Sequence, residues 1–321
     1  VKRKGSTLSF VQSRFLLEDN SHSKNGLWSI PLVIEEGNQR IQKLMTKKSA
    51  KVKLGNKNRN FIINSGRTGF YRVQYDGETL DNLSLLIDEK ILDYVDRWSL
   101  QNDYFAQAVS GKKTVRGYLD FTSAYYDEDN YISSFSLAQN LYSLFKLTYK
   151  EKFSDEFRQY AINFLGIIFD RLGWNQKKNE PHTDALLRSF AIVGLGKLGD
   201  KQIILESKSR FKKYLKDHNS LPADLQQPVF TLVAWSGNET THKKFISLFK
   251  SVSSQEEKLR FLTSMCEFKQ KNLLLKTLQF TLGTDVRSQN IQLPIMYINS
   301  NIHANEFMWP WLKNNWKKIL K

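Results

Sequence analysis

The amino-acid sequence predicts a mainly α-helical chain of two parts, a small β-sandwich followed by a longer helical solenoid. In residues 1–76, apolar residues alternate with polar ones at every second position, which is the spacing of half-buried strands. In residues 77–321, apolar residues recur about every 3.6 positions, which is the spacing of amphipathic helices. The length of 321 residues is sufficient for about two domains. We therefore expect a β-sandwich domain over 1–76 and a helical domain over 77–321.

The first part contains short alternating runs separated by polar turns. The alternating apolar positions are Leu8, Phe10, Trp28, Ile30, Leu32, Ile34, Val52, Leu54, Phe61, Ile63, Tyr71, Val73 and Tyr75. Polar clusters over 18–25, 35–38 and 55–60 predict the turns between these runs. Because proline cannot donate to a strand ladder, Pro31 indicates that its run is an edge strand. Short strands joined by polar turns are typical of a β-sandwich.

The second part contains repeated apolar stripes with helical spacing. The widest stripe consists of Phe157, Tyr160, Ala161, Phe164, Leu165, Ile168, Phe169 and Leu172. Breaks follow the stripes, for example at Gly173, Gly199 and Gly237. Helices of about 10–18 residues joined by short turns predict stacked helix pairs of the HEAT or armadillo kind, here without a strong repeat consensus. We interpret Gly194, Gly196 and Gly199 as positions of close helix packing.

The charge of the chain is compatible with more than one class of partner. Lys and Arg number 48 and Asp and Glu number 32, which gives a net charge of +16. Such a charge attracts nucleic acid, membrane surfaces or acidic partners. The lysines are spread along the whole chain, without a tight cluster of arginines and aromatic residues. We therefore favour a solvated, lysine-rich surface and expect neither a membrane nor nucleic acid as partner.

The cysteine content favours a reducing compartment. Cys266 is the single cysteine, which excludes an intramolecular disulfide and a cysteine-based structural zinc site. It lies in an apolar helical pattern, so we interpret it as an inert packing thiol. No secretory leader and no long apolar run are recognisable. Together these features favour a cytoplasmic location.

No self-contained catalytic site is predicted. Zinc hydrolases commonly place two histidines four residues apart on one helix face, with a glutamate beside the first. No two of the five histidines have this spacing, and we expect surface or capping roles for His22, His182, His218, His242 and His303. The acidic run 127–129 is interpreted as a solvated loop, and Gly111-Lys112 as a helix end rather than a phosphate-binding loop.

Residues 69–76, GFYRVQYD, resemble the GFYRVxYD signature of M1-family zinc aminopeptidases. Further segments resemble patterns of that family in the same order: QSRFL at 12–16, WSIPL at 28–32, DRWSLQND at 96–103 and WPWLKNNW at 309–316. The members that the chain resembles are archaeal and microbial enzymes of the puromycin-sensitive or tricorn-interacting-factor type. The resemblance covers nearly the whole chain and implies the C-terminal region of such an enzyme, with a helical domain that would continue beyond residue 321.

The resemblance also implies a division of roles. In the family, zinc bound in a domain that would precede Val1 polarises the scissile carbonyl and activates water. The C-terminal domains enclose the substrate chamber and limit peptide access. We therefore expect no cofactor and no activity in this chain alone, zinc in the parent enzyme's catalytic domain, and that domain and peptide substrates as partners. The alternative is a free-standing basic scaffold of sandwich and solenoid that binds protein or nucleic acid.

Seven residues in the matched segments are candidates for particular roles. Structural or interdomain roles are expected for Phe70, Tyr71, Arg72, Asp96 and Arg97. Of these, the two aromatic residues are expected in the core, Arg72 beside a carboxylate, and the other two between the first helices and the sandwich. Arg287 and Gln289 lie at a turn between helices and are candidates for facing the peptide, whose carboxylate would accept charge-assisted hydrogen bonds.

Overall fold

The computed structural model describes residues 1–18, 26–56 and 60–320. The chain is mainly α-helical with a small β part, as the sequence predicts. It divides into two compact units, Val1–Leu141 and Tyr142–Lys321, which are described separately below. Helix α1 begins at Gly77, so the predicted change from strands to helices near residue 76 is confirmed. A domain boundary at that point stays a prediction.

In the described residues of the first unit, six short strands form two antiparallel sheets. The strands are β1 (Lys2–Lys4), β2 (Thr7–Val11), β3 (Ile30–Glu36), β4 (Gln39–Met45), β5 (Ser49–Lys53) and β6 (Phe61–Ile63). One sheet has the order β1-β2-β5 and the other has the order β4-β3-β6. The buried carboxylate of Glu36 on β3 accepts hydrogen bonds from the N–H groups of Gly55 and Asn56, at 2.7 and 2.8 Å. The sandwich arrangement itself stays a prediction.

The prediction that Pro31 marks an edge strand is wrong, because β3 is the middle strand of its sheet. β4 pairs with the whole of β3, whereas β6 pairs only with the residues from Ile34 to Glu36. The Val33 carbonyl accepts from the Asn64 N–H on the β6 side, and alternate residues of a strand point the same way. The nitrogen of Pro31 therefore faces the β6 side of β3, but at a position beyond the end of β6. A missing N–H there breaks no ladder bond.

The alternating residues 71–75 do not form the strand that their pattern predicts. The Val73 N–H donates to the Asp103 carboxylate at 2.8 Å, and the Val73 carbonyl accepts from the Gln107 side chain at 2.9 Å. The Tyr75 hydroxyl accepts from the Ile63 N–H at 2.8 Å. Side chains therefore satisfy the backbone groups that a neighbouring strand would otherwise pair with.

The helices follow the predicted period. They are α1 (Gly77–Asp88), α2 (Tyr94–Val109), α3 (Val115–Thr122), α4 (Tyr131–Thr148), α5 (Ser154–Leu172), α6 (His182–Leu198), α7 (Lys201–Tyr214), α8 (Ala223–Trp235), α9 (Glu239–Ser251), α10 (Gln255–Met265), α11 (Lys271–Thr281), α12 (Gln292–Asn299) and α13 (Met308–Ile319). The start of α1 is fixed by Asp76, whose side chain accepts from the Thr79 N–H. Among the helices of the described residues, none has both the length and the apolar character needed to span a bilayer.

In the second unit, helices α6, α8, α10 and α12 form a row in which each contacts the next. Helices α7, α9 and α11 pack beside members of this row. Aromatic side chains from successive helices fill the space between them, and Phe211, Phe230, Phe245 and Phe261 lie with ring centres 5.1–6.1 Å apart. This row brings the loops that follow α8, α10 and α12 to one edge of the unit.

Gly194 and Gly196 of α6 allow the close helix packing that the sequence predicts, whereas Gly199 ends the helix with a left-handed φ of 103°. A Cβ atom on Gly194 would lie 2.7 Å from Leu165 Cδ1 of α5. A Cβ atom on Gly196 would lie 2.5 Å from both Cδ atoms of Leu232 on α8. Real Cβ atoms do not approach other carbons this closely, so α6 fits between its neighbours because these positions lack side chains.

We predict that Gly196→Ala lowers the free energy of unfolding by about 1–3 kcal/mol, because the added methyl group overpacks the contact with Leu232. Gly166→Ala in α5 is the matched control. A Cβ there meets nothing within 4 Å, and alanine favours a helix over glycine by about 0.5–1 kcal/mol. Urea denaturation of both variants should therefore give effects of opposite sign. Equal effects would contradict the packing role of Gly196.

Candidate functional site

A strained loop connects β6 to the segment that precedes α1. Asn64, Gly66 and Arg67 have φ angles of 62°, 65° and 50°, all in the left-handed region. Such backbone costs of order 1–3 kcal/mol per non-glycine residue and persists where surrounding contacts determine it. The Asn64 side chain accepts from the Gly69 N–H at 2.7 Å and donates to the carbonyls of Gly69 and Tyr71.

One polar stripe of α2 holds this loop from the other side. The stripe consists of Asp96, Ser99, Asp103 and Gln107, whose spacing of three or four residues places them on one helix face. The Gly66 N–H donates to Asp96 at 2.7 Å, and Arg67 Nη1 donates to the Ser99 hydroxyl at 2.6 Å. The other two members bind the N–H and the carbonyl of Val73. The stripe thus contacts the loop at four points along α2.

Asp103 is the centre of this arrangement. Its buried carboxylate lies 3.2 Å from Arg67 Nη1 and 3.0 Å from Arg72 Nη1, and it accepts the Val73 N–H. Burial raises the pKa of Asp103, while Arg67, the Val73 N–H and Arg72 act in the opposite direction. Three donors on one carboxylate fix the register between the loop and α2.

Arg72 and Asp96 make contacts of the expected kind, whereas Phe70 and Arg97 do not. Arg72 pairs with a carboxylate, as expected, and Asp96 joins α2 to the loop after β6. The Tyr71 hydroxyl accepts a weak bond of 3.4 Å from the Val33 N–H, and the residue is half-buried. Phe70 is wrongly expected in the core, because its side chain is fully exposed. The residue that precedes Tyr71 and Arg72 in the loop therefore points to solvent.

Arg97 has a partner that the sequence analysis missed. Its guanidinium forms two hydrogen bonds with the carboxylate of Glu128, at 2.7 and 2.8 Å, and both side chains are buried. The prediction that the run 127–129 is a solvated loop is therefore wrong for Glu128. Asp127 and Asp129 are exposed and pair with Lys90, whereas the middle residue points inward. Arg97 thus joins α2 to the loop before α4 rather than to the β part.

We predict that Asp103→Ala lowers the free energy of unfolding by about 3 kcal/mol, because it leaves the buried Val73 N–H without its acceptor and removes the carboxylate that pairs with Arg67 and Arg72. Asp127→Ala is the control, since that carboxylate is exposed and its ion pair is worth about 0–1 kcal/mol. Chemical denaturation of both variants measures the difference. A loss of under 1 kcal/mol in Asp103→Ala would contradict the central role of this carboxylate.

The predicted peptide-facing residues lie in the second unit. Arg287 and Gln289 are both exposed and belong to the short turn between α11 and α12. The buried side chain of Val286 anchors this turn. Among the described residues, no hydrogen bond or ion pair involves the side chain of either residue. The two side chains therefore offer donors to solvent, and their role toward a peptide stays a prediction.

The expectation of surface or capping roles for the histidines is wrong for His242. This side chain is buried on α9, and its Nε2 lies 2.9 Å from the hydroxyl of Thr277 on α11. The Thr277 proton goes to a carbonyl of Leu273 or Met265, so its oxygen accepts from Nε2–H. His242 also lies at a cleft of about 320 Å³ between α9 and α11. His22 lies outside the described residues.

The environment of His242 makes folding sensitive to acid. Burial, and then the Lys276 ammonium, lower the pKa of His242 to about 4. An unfolded histidine has a pKa of about 6.5, so on acidification the unfolded chain takes up a proton that the folded chain does not. Stability is therefore lost as pH falls from about 6.5 toward 4.

We predict that this residue alone costs roughly 2 kcal/mol of stability between pH 7 and pH 5. His242→Gln keeps a donor for Thr277 but does not titrate, so this part of the loss disappears in the variant. Urea unfolding of both proteins at the two pH values measures the difference. The same loss in both proteins would contradict the assignment.

The described residues also bear on metal binding and nucleophilic chemistry. Within 1–18, 26–56 and 60–320, no three side chains of His, Cys, Asp or Glu come together in a way that could hold a metal ion. These residues do not fit a zinc site, and we assign no zinc-dependent step to them. Cys266 is fully buried and burial raises its pKa well above the ordinary value, which confirms an inert packing thiol.

Comparison with known proteins identifies the class to which this fold belongs. Residues 60–321 match the family described as ERAP1-like C-terminal domain. The chain is 30% identical to "Aminopeptidase M1-D" of Oryza sativa subsp. japonica over its whole length, which is 38% of that protein. It is 25% identical to "Probable aminopeptidase 2" of Sulfurisphaera tokodaii over 98% of the chain and 37% of that protein.

The similarity extends to an animal protein. The chain is 27% identical to the human protein named "Glutamyl aminopeptidase", over 97% of the chain and 34% of the relative. The chain thus spans less than two fifths of the length of these relatives. It belongs to the ERAP1-like C-terminal domain family and corresponds to the C-terminal part of M1 aminopeptidases.

Proposed function

We propose that this chain is the non-catalytic C-terminal part of a zinc aminopeptidase that removes N-terminal residues from peptides. In this proposal the chain encloses the substrate chamber and limits which peptides reach the catalytic domain. The zinc ion of the parent enzyme is held by that domain, outside this chain. The observation that carries the proposal is the family match over residues 60–321, together with relatives that are named as aminopeptidases.

Arg287 and Gln289 are the residues that we propose for peptide contact. Both are exposed on the turn between α11 and α12, and both carry hydrogen-bond donors. A guanidinium binds a peptide carboxylate through charge-assisted hydrogen bonds, which are stronger than neutral ones. The net charge of +16 would also attract peptide carboxylates over a distance of about 10 Å at moderate ionic strength.

A second candidate function is a basic scaffold that binds nucleic acid or protein. The observation that favours it is α13, where Trp309 and Trp316 are exposed and the Lys313 ammonium lies 5.7 Å from the centre of the Trp309 ring. Exposed aromatic rings beside cations are typical of single-strand binding. The reading frame before Val1 distinguishes the two functions, because a His-Glu-x-x-His sequence there supports the aminopeptidase.

The proposed function is tested in the full-length gene product. We predict that Arg287→Ala raises the KM for peptides of several residues about tenfold, which corresponds to one lost charge-assisted hydrogen bond. The kcat/KM for a single aminoacyl chromogenic substrate should not change, because such a substrate has no carboxylate for Arg287 to bind. Arg116→Ala is the control, since that side chain is 91% exposed on α3.

Two results would contradict the proposal. One is an unchanged KM for every peptide length in Arg287→Ala, which would remove this residue from the substrate path. The other is chelator-sensitive hydrolysis by the 321-residue chain alone with added zinc, which would contradict a non-catalytic role. Salt-dependent binding of single-stranded nucleic acid, with no peptide effect, would favour the scaffold instead.

A further inference from the structure

One edge of the second unit gathers charged side chains around a single tryptophan. Trp235 is the last residue of α8 and is buried. Lys269 lies in the loop after α10, and His303 lies in the loop after α12. The Lys269 ammonium is 4.7 Å from the centre of the indole, and the His303 ring centre is 5.3 Å from it. These three residues are called the Trp235 cluster below.

The loops that carry the cluster are tied to each other. The Asn301 side chain donates to the carbonyls of Cys266 and Phe268, both at 3.0 Å. The Gln270 side chain donates to the Gly237 carbonyl, also at 3.0 Å. Each of these bonds joins one loop of the edge to the next. These bonds hold together the backbone of the three loops from which the cluster residues project.

A neighbouring lysine shows how a cation is normally satisfied at this edge. Lys197 Nζ lies 5.6 Å from the same indole and 2.6 Å from the carboxylate of Glu267. Although burial opposes it, Glu267 and then Tyr142 raise the pKa of Lys197. This pair is buried, neutral in sum and complete, so it is closed to a further ligand.

The Trp235 cluster, in contrast, contains donors without an acceptor. The indole N–H of Trp235 is buried and has no hydrogen-bond partner among the described residues. The structure assigns no carboxylate to Lys269, and burial lowers the pKa of its ammonium group. Burial and then Lys269 also lower the pKa of His303. His303 is half-buried and has gained no anion, while Lys269, whose side chain is exposed, has no carboxylate partner, and an oxyanion would complete both groups.

We propose that Lys269, His303 and Trp235 form a binding site for a carboxylate group. The exposed face of Lys269 provides access, and the half-buried imidazole provides the second donor. Lys269 also precedes the N-terminus of α11, which no side chain caps, so the helix end adds positive potential. A bound carboxylate accepts from the ammonium group and from a protonated His303, beside the indole whose N–H has no partner among the described residues.

The surroundings favour a carboxylate over other ligands. Trp235 is 4% exposed, so its ring offers no face on which a nucleobase could stack. One unpaired lysine and one histidine match the single charge of a carboxylate better than the double charge of phosphate. Under the proposed function, on which this assignment to a substrate rests, the carboxylate belongs to an acidic side chain of a peptide. The site would then favour acidic peptides.

The experiment uses the full chain and proton NMR of its histidines, which number five and are assigned with His303→Gln. The probes are N-acetyl-glutamate amide, the neutral N-acetyl-glutamine amide and inorganic phosphate. We predict that the glutamate probe raises the pKa of His303, whereas the glutamine probe leaves it unchanged. The charged groups around His303 are Lys269, the Lys197–Glu267 pair, and Glu306 of its own loop, which pairs with Lys150 and also faces Lys271. The two ion pairs are neutral in sum, so the probe is the source of new negative charge.

Variants separate binding from folding. Lys269→Gln, an exposed substitution, should weaken binding of the glutamate probe about tenfold, whereas Lys244→Gln on α9 removes the same charge elsewhere and should not. Trp235→Phe removes the indole N–H and should also weaken binding. No response to the glutamate probe, an equal response to the glutamine probe, or a response to phosphate alone would overturn the proposal. Because no peptidase activity is measured, failure here leaves the proposed function untouched.

Discussion

The first unit depends on one buried carboxylate. Asp103 accepts Arg67, Arg72 and the Val73 N–H together, and these three donors come from both sides of the exposed Phe70. The left-handed Asn64 and Arg67 before Phe70 carry a backbone cost of order 1–3 kcal/mol each. The carboxylate offsets this cost. Because it is buried, it has no water to bind and depends on these three donors. The chain between β6 and α1 is thus shaped by a helix that follows it in sequence.

This dependence explains where the sequence predicts the fold and where it does not. Hydrophobic period correctly separates strands from helices near residue 76, because burial on one face of an element determines it. The same period wrongly predicts a strand over 71–75. An extended segment shows this alternation whatever its backbone pairs with, and here the backbone groups of Val73 pair with side chains of α2. Asp96 and Asp103, seven residues apart on one helix face, are the signal that could have revealed the competing partner.

The Trp235 cluster is invisible to sequence analysis for a different reason. The three residues are spaced by 34 positions, from Trp235 to Lys269 and from Lys269 to His303. Each therefore belongs to a different helix pair. No local motif contains two of them. They lie close together because α8, α10 and α12 pack in a row. The spacing follows from the length of the stacked helix pairs and not from a sequence motif. The family resemblance suggested Arg287 and Gln289 because those residues lie within one short segment.

Net charge alone therefore says little about where this protein binds. Most buried cations are already paired: Arg97 with Glu128, Arg188 with Glu180, and Lys197 with Glu267. These cations are therefore not available to a ligand. Removing the carboxylate partner of any of them would leave an uncompensated buried charge, which is strongly destabilising. A binding site is expected instead where burial has reduced solvation and no acceptor has replaced the water. At the edge formed by the loops after α10 and α12, the half-buried His303 meets both conditions. It lies beside the exposed Lys269, which has no carboxylate partner, and beside an indole N–H that has no partner among the described residues.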